Sequence, residues 1–163
     1  AAGAVRCGDG AAAPWEECDD GNTNPGDGCH DCRRERCGAA WTLGPGDRCY
    51  LLETARNWES QRNRCRDLGG DLVAIDNQAE NDWLTYLFDL PVASWIGLND
   101  RSREGTYVWS SGSAAGFRFW ASGEPNNRFN EDCVQIGPAS AAGRWNDLDC
   151  GDSIRGICER AVP

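Results

Sequence analysis

Apolar positions along this chain change period several times, and the changes mark out its elements. Trp95-Ile96-Gly97-Leu98 and Leu72-Val73-Ala74-Ile75 are short continuous apolar runs, the pattern of buried strands. From Thr54 the period turns helical: Ala55, Trp58, Cys65 and Leu68 recur on one face, Arg56, Arg62, Arg64 and Arg66 cover the rest, and Gly69-Gly70 supplies a C-cap. A second helix is predicted with Asn77 and Glu80 as a capping pair, Ala79, Trp83, Tyr86, Leu87 and Leu90 on its inner face, and Pro91 as its stop. Ahead of both, residues 37–41 and 46–50 read as the arms of a hairpin around Gly44-Pro45-Gly46. Cys133-Val134-Gln135-Ile136, Gly143-Arg144-Trp145 and Ile154–Cys158 read as closing strands. Between Asn99 and Trp145 the composition shifts to Gly, Ser, Asn and Pro, a length of chain without strong periodicity that needs something besides secondary structure to order it.

Residues 7–32 follow no such pattern. They are too few and too poor in aliphatic side chains to bury a core, so Cys7, Cys18, Cys29 and Cys32 must hold them together, with all three pairings open. Asp9, Asp19, Asp20, Asn22 and Asp27 lie beside glycines and read as turn formers, although the same arrangement could wrap a cation. His30, the one histidine, reads as a surface loop residue. Residues 33–36, Arg-Arg-Glu-Arg, read as a solvated connector, which divides the chain into a module at 1–36 and a larger domain at 37–163.

Ten cysteines, no methionine and a formal net charge of −10 describe a disulfide-held protein of an oxidising compartment. The start Ala-Ala-Gly has no basic residue followed by an apolar run, so the expectation is a secreted or extracellular chain whose signal peptide has been removed. Nothing approaches the roughly 20 apolar residues of a membrane helix. The acidic balance argues against nucleic acid, whose phosphates are held by Lys and Arg.

The candidate chemistry lies near the C-terminus. Glu124-Pro125-Asn126-Asn127, Glu131-Asp132-Cys133 and Trp145-Asn146-Asp147-Leu148-Asp149-Cys150 offer three carboxylates and two amides, Glu124, Asn126, Glu131, Asn146 and Asp147, that a Cys133–Cys150 bond would bring together. Hard oxygen donors in that number suit calcium, and with no second histidine and no evident free cysteine zinc is a poor fit. Each tripeptide alone is an ordinary turn. Together, and with Trp95-Ile96-Gly97-Leu98, Trp109 and Trp120, they closely resemble the C-type lectin domain over roughly residues 37–160. The N-terminal stretch resembles a short cysteine-rich repeat of secreted bacterial and pappalysin-type proteins.

The first resemblance implies an α+β C-type lectin fold of two helices, two small antiparallel sheets and a long loop region ordered by calcium. It implies the pairs Cys37–Cys49, Cys65–Cys158 and Cys133–Cys150, which leaves the other four cysteines for the small module. It implies a principal Ca2+ at Glu124, Asn126, Glu131, Asn146 and Asp147 that also binds sugar, with a cis Glu124–Pro125 peptide. An auxiliary Ca2+ is implied at Asp100, Glu104, Asn127 and Asp132, where Asn127 replaces a frequent Asp. Family members with Glu-Pro-Asn prefer the equatorial 3,4-diols of mannose, fucose or N-acetylglucosamine, those with Gln-Pro-Asp galactose; Arg128 and Phe129 are neighbours on which the choice of glycan depends.

An enzyme is not expected. Acids at chelating spacing are held deprotonated by a metal and make poor general acids, and no histidine in the larger domain could activate a serine. Two rivals remain: a lectin-like domain that binds a protein, with calcium only structural, and the glycan-targeting module of a larger secreted enzyme. A homo-oligomer or a larger secreted assembly would suit either a lectin or a targeting module.

Overall fold

The computed structural model describes residues 37–163 apart from Ala39 and Asp89, together with the backbone of residues 29–30 and 33–34. Those last two pairs are β1 (Cys29–His30) and β2 (Arg33–Arg34), joined antiparallel. The pairing of Cys7, Cys18, Cys29 and Cys32, and the Asp and Asn residues of the small module, lie outside the described residues.

The larger domain opens with β3 (Thr42–Gly44), a tight turn at Pro45–Asp47 and β4 (Arg48–Arg56). The hairpin turns where its glycines and proline predict and is closed by a Cys37–Cys49 disulfide, but its first arm is Thr42–Gly44 and not residues 37–41. Its second arm is longer than expected. Thr54 and Ala55, assigned to a helix by their period, are strand residues at a bulge, because β4 pairs on both sides of them with the last strand, β10 (Ile154–Ala161), from Arg48↔Ala161 to Glu53↔Gly156 and again at Arg56↔Ile154. That long-range ladder outweighs a weak local period.

Helix α1 (Trp58–Asp67) therefore starts behind Asn57, whose side chain accepts from Ser60 N at 2.8 Å. It ends as predicted: Gly69, at φ 84°, donates to Arg66 O, and Gly70 to Cys65 O, the paired bonds of a left-handed glycine cap. After β5 (Asp71–Leu72), residues 72–75 are all buried, though only the first belongs to a ladder.

The second helix, α2 (Gln78–Asp82), continues into a wider π-type turn at Trp83–Leu87, and here the predicted inner face holds at Trp83 and Leu90 but not at Ala79 and Tyr86. Ala79 and Tyr86 face solvent, Trp83 is half-buried and Leu90 buried, while the side chain of Leu87 lies outside the described residues. Glu80, Asn81, Leu84 and Thr85 point inward instead. Polarity misled the period because these polar groups are partnered: Glu80 accepts from Tyr50 OH at 2.7 Å and from Asp76 N at 2.8 Å, and Thr85 donates to Asn81 O at 2.7 Å.

Strands β6 (Ser94–Asn99), β7 (Val108–Trp109), β8 (Cys133–Ile136) and β9 (Trp145–Leu148) complete one eight-stranded path, ordered β3-β4-β10-β6-β8-β9 with β5 on β10 and β7 on β6. The two expected antiparallel sheets are thus joined, by a short parallel contact of Arg155↔Ser94 and Gly156↔Trp95. Every residue of β6 is buried. Ile96 and Leu98 enter a core with Tyr50, Leu84, Trp109, Val134, Trp145 and Ile157; Trp95 enters another with Trp58, Leu72 and the Cys65–Cys158 disulfide.

Glu159 on β10 is a buried acid held by Arg48 and by Ala74 N, which donates to its Oε2 at 3.0 Å. Burial lifts its carboxyl to about 7, with Ala74 N and Arg48 opposing and Glu80 adding to the rise. A folded-state value above the unfolded one means the native state binds the extra proton. Its contribution to stability is full below the ordinary carboxylate range and is lost as pH rises through about 7, at most about 3 kcal/mol. Glu159→Gln should accordingly flatten the decline of unfolding free energy between pH 5 and 7.5, measured by urea titration in EDTA. Identical slopes in the two proteins would show the carboxylate ionised beside Arg48 throughout.

Candidate functional site

The site is built outward from Trp145. Its ring is fully buried, its Nε1 donates to Asn81 Oδ1 at 2.8 Å, and its backbone N donates to Phe119 O at 2.9 Å while its O accepts from Ala121 N at 2.8 Å. Phe117, Trp109 and Trp120 pack edge-on around it with centroids 5.6, 5.7 and 6.0 Å away, and Tyr107 stands edge-on to Trp120 at 5.0 Å. Arg118 laces the same loop, donating to the carbonyls of Tyr107, Ala115 and Phe117. The stretch whose composition left its order to calcium therefore carries an aromatic core of its own from Tyr107 to Ala121.

From Trp145, β9 delivers Asn146 and Asp147 next to β8, in register Gln135↔Asn146 and Val134↔Asp147, and a Cys133–Cys150 disulfide ties the two strands. Asp147 is fully buried. Its Oδ1 accepts from Asn126 N at 3.1 Å, and its Oδ2 accepts from Asn127 N at 2.8 Å and Tyr107 OH at 3.3 Å. One carboxylate so folds the Glu124–Asn127 segment against β9. Sequence reasoning does not single out Tyr107; its alternation with Trp109, one residue ahead of β7, is the available signal.

Glu124 precedes a cis peptide to Pro125, and its Oε2 accepts from Asn126 Nδ2 at 2.5 Å. Burial and the facing carboxylate of Asp147 raise the pKa of Glu124, and burial first, with Asp147 adding, raises that of Glu131. Glu131 Oε2 accepts from Arg128 N at 3.1 Å, and Asn126 Oδ1 accepts from the same N–H at 2.8 Å. Asn146 Oδ1 is buried without a hydrogen-bond partner. Hydrogen bonds through Asn127 and Arg128 thus link Glu124, Asn126, Glu131 and Asp147, and Asn146 adjoins them on β9 with an orphaned acceptor. Among the described residues no three His, Cys, Asp or Glu side chains are gathered into a ready-made metal centre; amides separate the carboxylates here.

The second predicted set is less closely drawn together. Asp100 is buried, its Oδ2 accepting from Gly105 N at 2.8 Å while its Oδ1 has no partner, and burial raises its pKa. Its backbone N donates to Asp132 O at 3.1 Å. Glu104 stands exposed on the following turn, and Asn127 Oδ1 already accepts from Glu131 N at 2.8 Å.

Comparison with known proteins agrees with this architecture. The family model described as the lectin C-type domain matches residues 54–160, and one described as a domain of unknown function (DUF4215) matches residues 5–33. Human C-type lectin domain family 17, member A is 36% identical over 133 residues, 82% of this chain, and the chain spans 34% of that protein. Among solved structures, the cow carbohydrate-recognition domain of CD23, determined with a GlcNAc2Man3 oligosaccharide, superposes with a TM-score of 0.71 at 33% identity, covering 78% of this chain and 97% of that one. A calcium-independent type II antifreeze protein superposes equally, TM-score 0.71 at 30% identity, over 78% of this chain and 95% of its own. With the fold, the disulfides and the matched family model all falling on the same residues, this chain belongs to the C-type lectin domain family.

Proposed function

We propose that this domain is a calcium-dependent lectin in which Glu124, Asn126, Glu131, Asn146 and Asp147 hold one Ca2+ and, with it, two neighbouring hydroxyls of a mannose-, fucose- or N-acetylglucosamine-type sugar. The family is one of binding modules, not enzymes. The observation that carries the reading is the donor set itself: the carboxylates of Glu124 and Glu131, whose pKa values are raised by burial first and then by the neighbouring Asp147 carboxylate, beside the buried and unpartnered Oδ1 of Asn146. Oxygens so placed fit a hard divalent cation. A likeness of fold alone would not support it, since a calcium-independent protein superposes as well as a lectin does.

Calcium, when bound, supplies coordination positions that hydroxyl lone pairs can take. The chain supplies the rest: Glu124 and Glu131 accept the hydroxyl hydrogens, and Asn126 and Asn146 donate their amide N–H to the hydroxyl oxygens. Asp100, with Asp132, Glu104 and Asn127, is proposed to take an auxiliary Ca2+, supported by the partnerless Asp100 Oδ1. Residues 37–163 are read as the binding domain of a secreted protein and 1–36 as its disulfide-held companion, with self-association or a larger assembly providing the multivalency a shallow site needs.

The test is the pair Glu124→Gln and Asn126→Asp. Total charge and the number of oxygens stay the same, so calcium should still bind. The acceptor carboxylate and the donor amide change sides of the diol, and an unmade polar contact costs about 1–3 kcal/mol. Mannose affinity should fall by roughly ten-fold or more while galactose gains relative to it, read by titration of both sugars into calcium-loaded protein. A double variant that keeps calcium and the original preference would remove both residues from the sugar site.

A further inference from the structure

Phe129 projects beside the candidate site with 88% of its surface exposed, more than any other exposed large hydrophobic side chain among the described residues. Its backbone is left-handed, φ 60°, a conformation that costs a bulky L-residue and that glycine adopts freely. A ring that buries so little gains no packing energy in return. Neither folding nor the turn accounts for its presence, and residues held this way mark functional sites.

The turn carrying it is tied to the candidate ligands. Arg128 N donates to Asn126 Oδ1 and Glu131 Oε2, Glu131 N to Asn127 Oδ1, and Asn127 N to Asp147 Oδ2. Arg128 lies over the ring with its guanidinium carbon 5.2 Å from the centroid. An aromatic surface is thus presented two residues from Glu131 and three from Asn126, on a turn whose backbone is already fixed before binding.

Resting on the lectin reading above, we propose that Phe129 forms a second subsite, stacking on the apolar C–H face of the group glycosidically linked to the pyranose at Glu124 and Asn126. In a natural glycan that group is the next sugar, and an aryl aglycone mimics it. Phe129 therefore selects linked saccharides over the free monosaccharide, and Arg128 steadies the ring from one side while the other takes the ligand.

Methyl and phenyl α-mannosides, and the matching pair of galactosides, would be titrated into calcium-loaded wild type, Phe129→Gly and Phe129→Trp. The readout is the ratio of phenyl to methyl affinity within each protein. It should be about three- to ten-fold in the wild type, fall to about one in the glycine variant and persist with tryptophan. Phe129→Gly should melt no lower than the wild type, since it relieves the left-handed strain. An undiminished ratio in the glycine variant overturns the subsite and leaves the lectin reading intact. A wild type that prefers galactosides corrects the sugar class, and their own ratio then decides Phe129. Failure of all four glycosides to bind the wild type overturns both.

Discussion

Chelation of calcium is expected to abolish sugar binding and to lower the melting temperature of this protein. At saturating calcium, on the order of a hundred times its dissociation constant, a ligand that binds only the folded state adds about 2.7 kcal/mol. For a chain of this size that corresponds to a melting shift on the order of 10 °C. The direction is reinforced by the site's electrostatics: burial and the facing Asp147 carboxylate make ionised Glu124 unfavourable, and a divalent cation relieves that penalty. The effect on binding should be all-or-none, because the hydroxyls lose their main acceptor of lone pairs. Melting in EDTA and in excess calcium, with immobilised mannose as the binding assay, checks both. The aromatic cluster around Trp145 is expected to survive chelation, so near-ultraviolet circular dichroism should keep most of its intensity. Sugar retention at full strength in EDTA would remove calcium from the mechanism.

Asn81→Ala is expected to be the most costly single substitution among the polar positions. The Asn81 side chain is completely buried, its Nδ2 donating to Gly143 O at 3.2 Å and its Oδ1 accepting from Trp145 Nε1 at 2.8 Å. Alanine leaves both the Trp145 N–H and the Gly143 carbonyl without partners in the core, a loss of about 3 kcal/mol. Gly143, at φ 64°, has no room for a side chain because a Cβ would strike Thr85 and Asn81, so the loop cannot close over the gap by substitution there. Because Trp145 immediately precedes Asn146 and Asp147, calcium affinity should fall along with stability. Urea unfolding and calcium titration of the same variant test the two halves. A stability loss below about 0.5 kcal/mol would show that Trp145 is held by its aromatic neighbours alone.

Asn81 also illustrates why part of the molecule was legible in the chain and part was not. Continuous apolar runs and turn residues carry their meaning locally. The buried strand at Trp95–Leu98, the hairpin turn at Pro45 and the glycine cap at Gly69 could therefore be read from neighbours in sequence. The candidate ligands stand out for a different reason: hard-oxygen side chains at Glu124, Asn126, Glu131, Asn146 and Asp147 have few purposes in common, and one cysteine follows each of their two groups, Cys133 and Cys150.

What the sequence could not express was which polar groups would find partners inside. A period analysis places Glu80, Asn81 and Thr85 outside because an unpaired polar group is costly to bury, and that cost vanishes once Tyr50 meets Glu80, and Trp145 and Gly143 meet Asn81, from distant parts of the chain, while Asp76 N and Asn81 O serve Glu80 and Thr85 from one turn away. The same holds for Thr54 and Ala55, held in strand between Glu53 and Arg56, whose partners Gly156 and Ile154 lie about a hundred residues away. Local propensity and donor chemistry thus determined most of the elements and singled out the candidate site. Only tertiary pairing decided the inward face of the second helix, the union of the two sheets and the aromatic frame on which the site is mounted, because each depends on groups that satisfy one another across the fold.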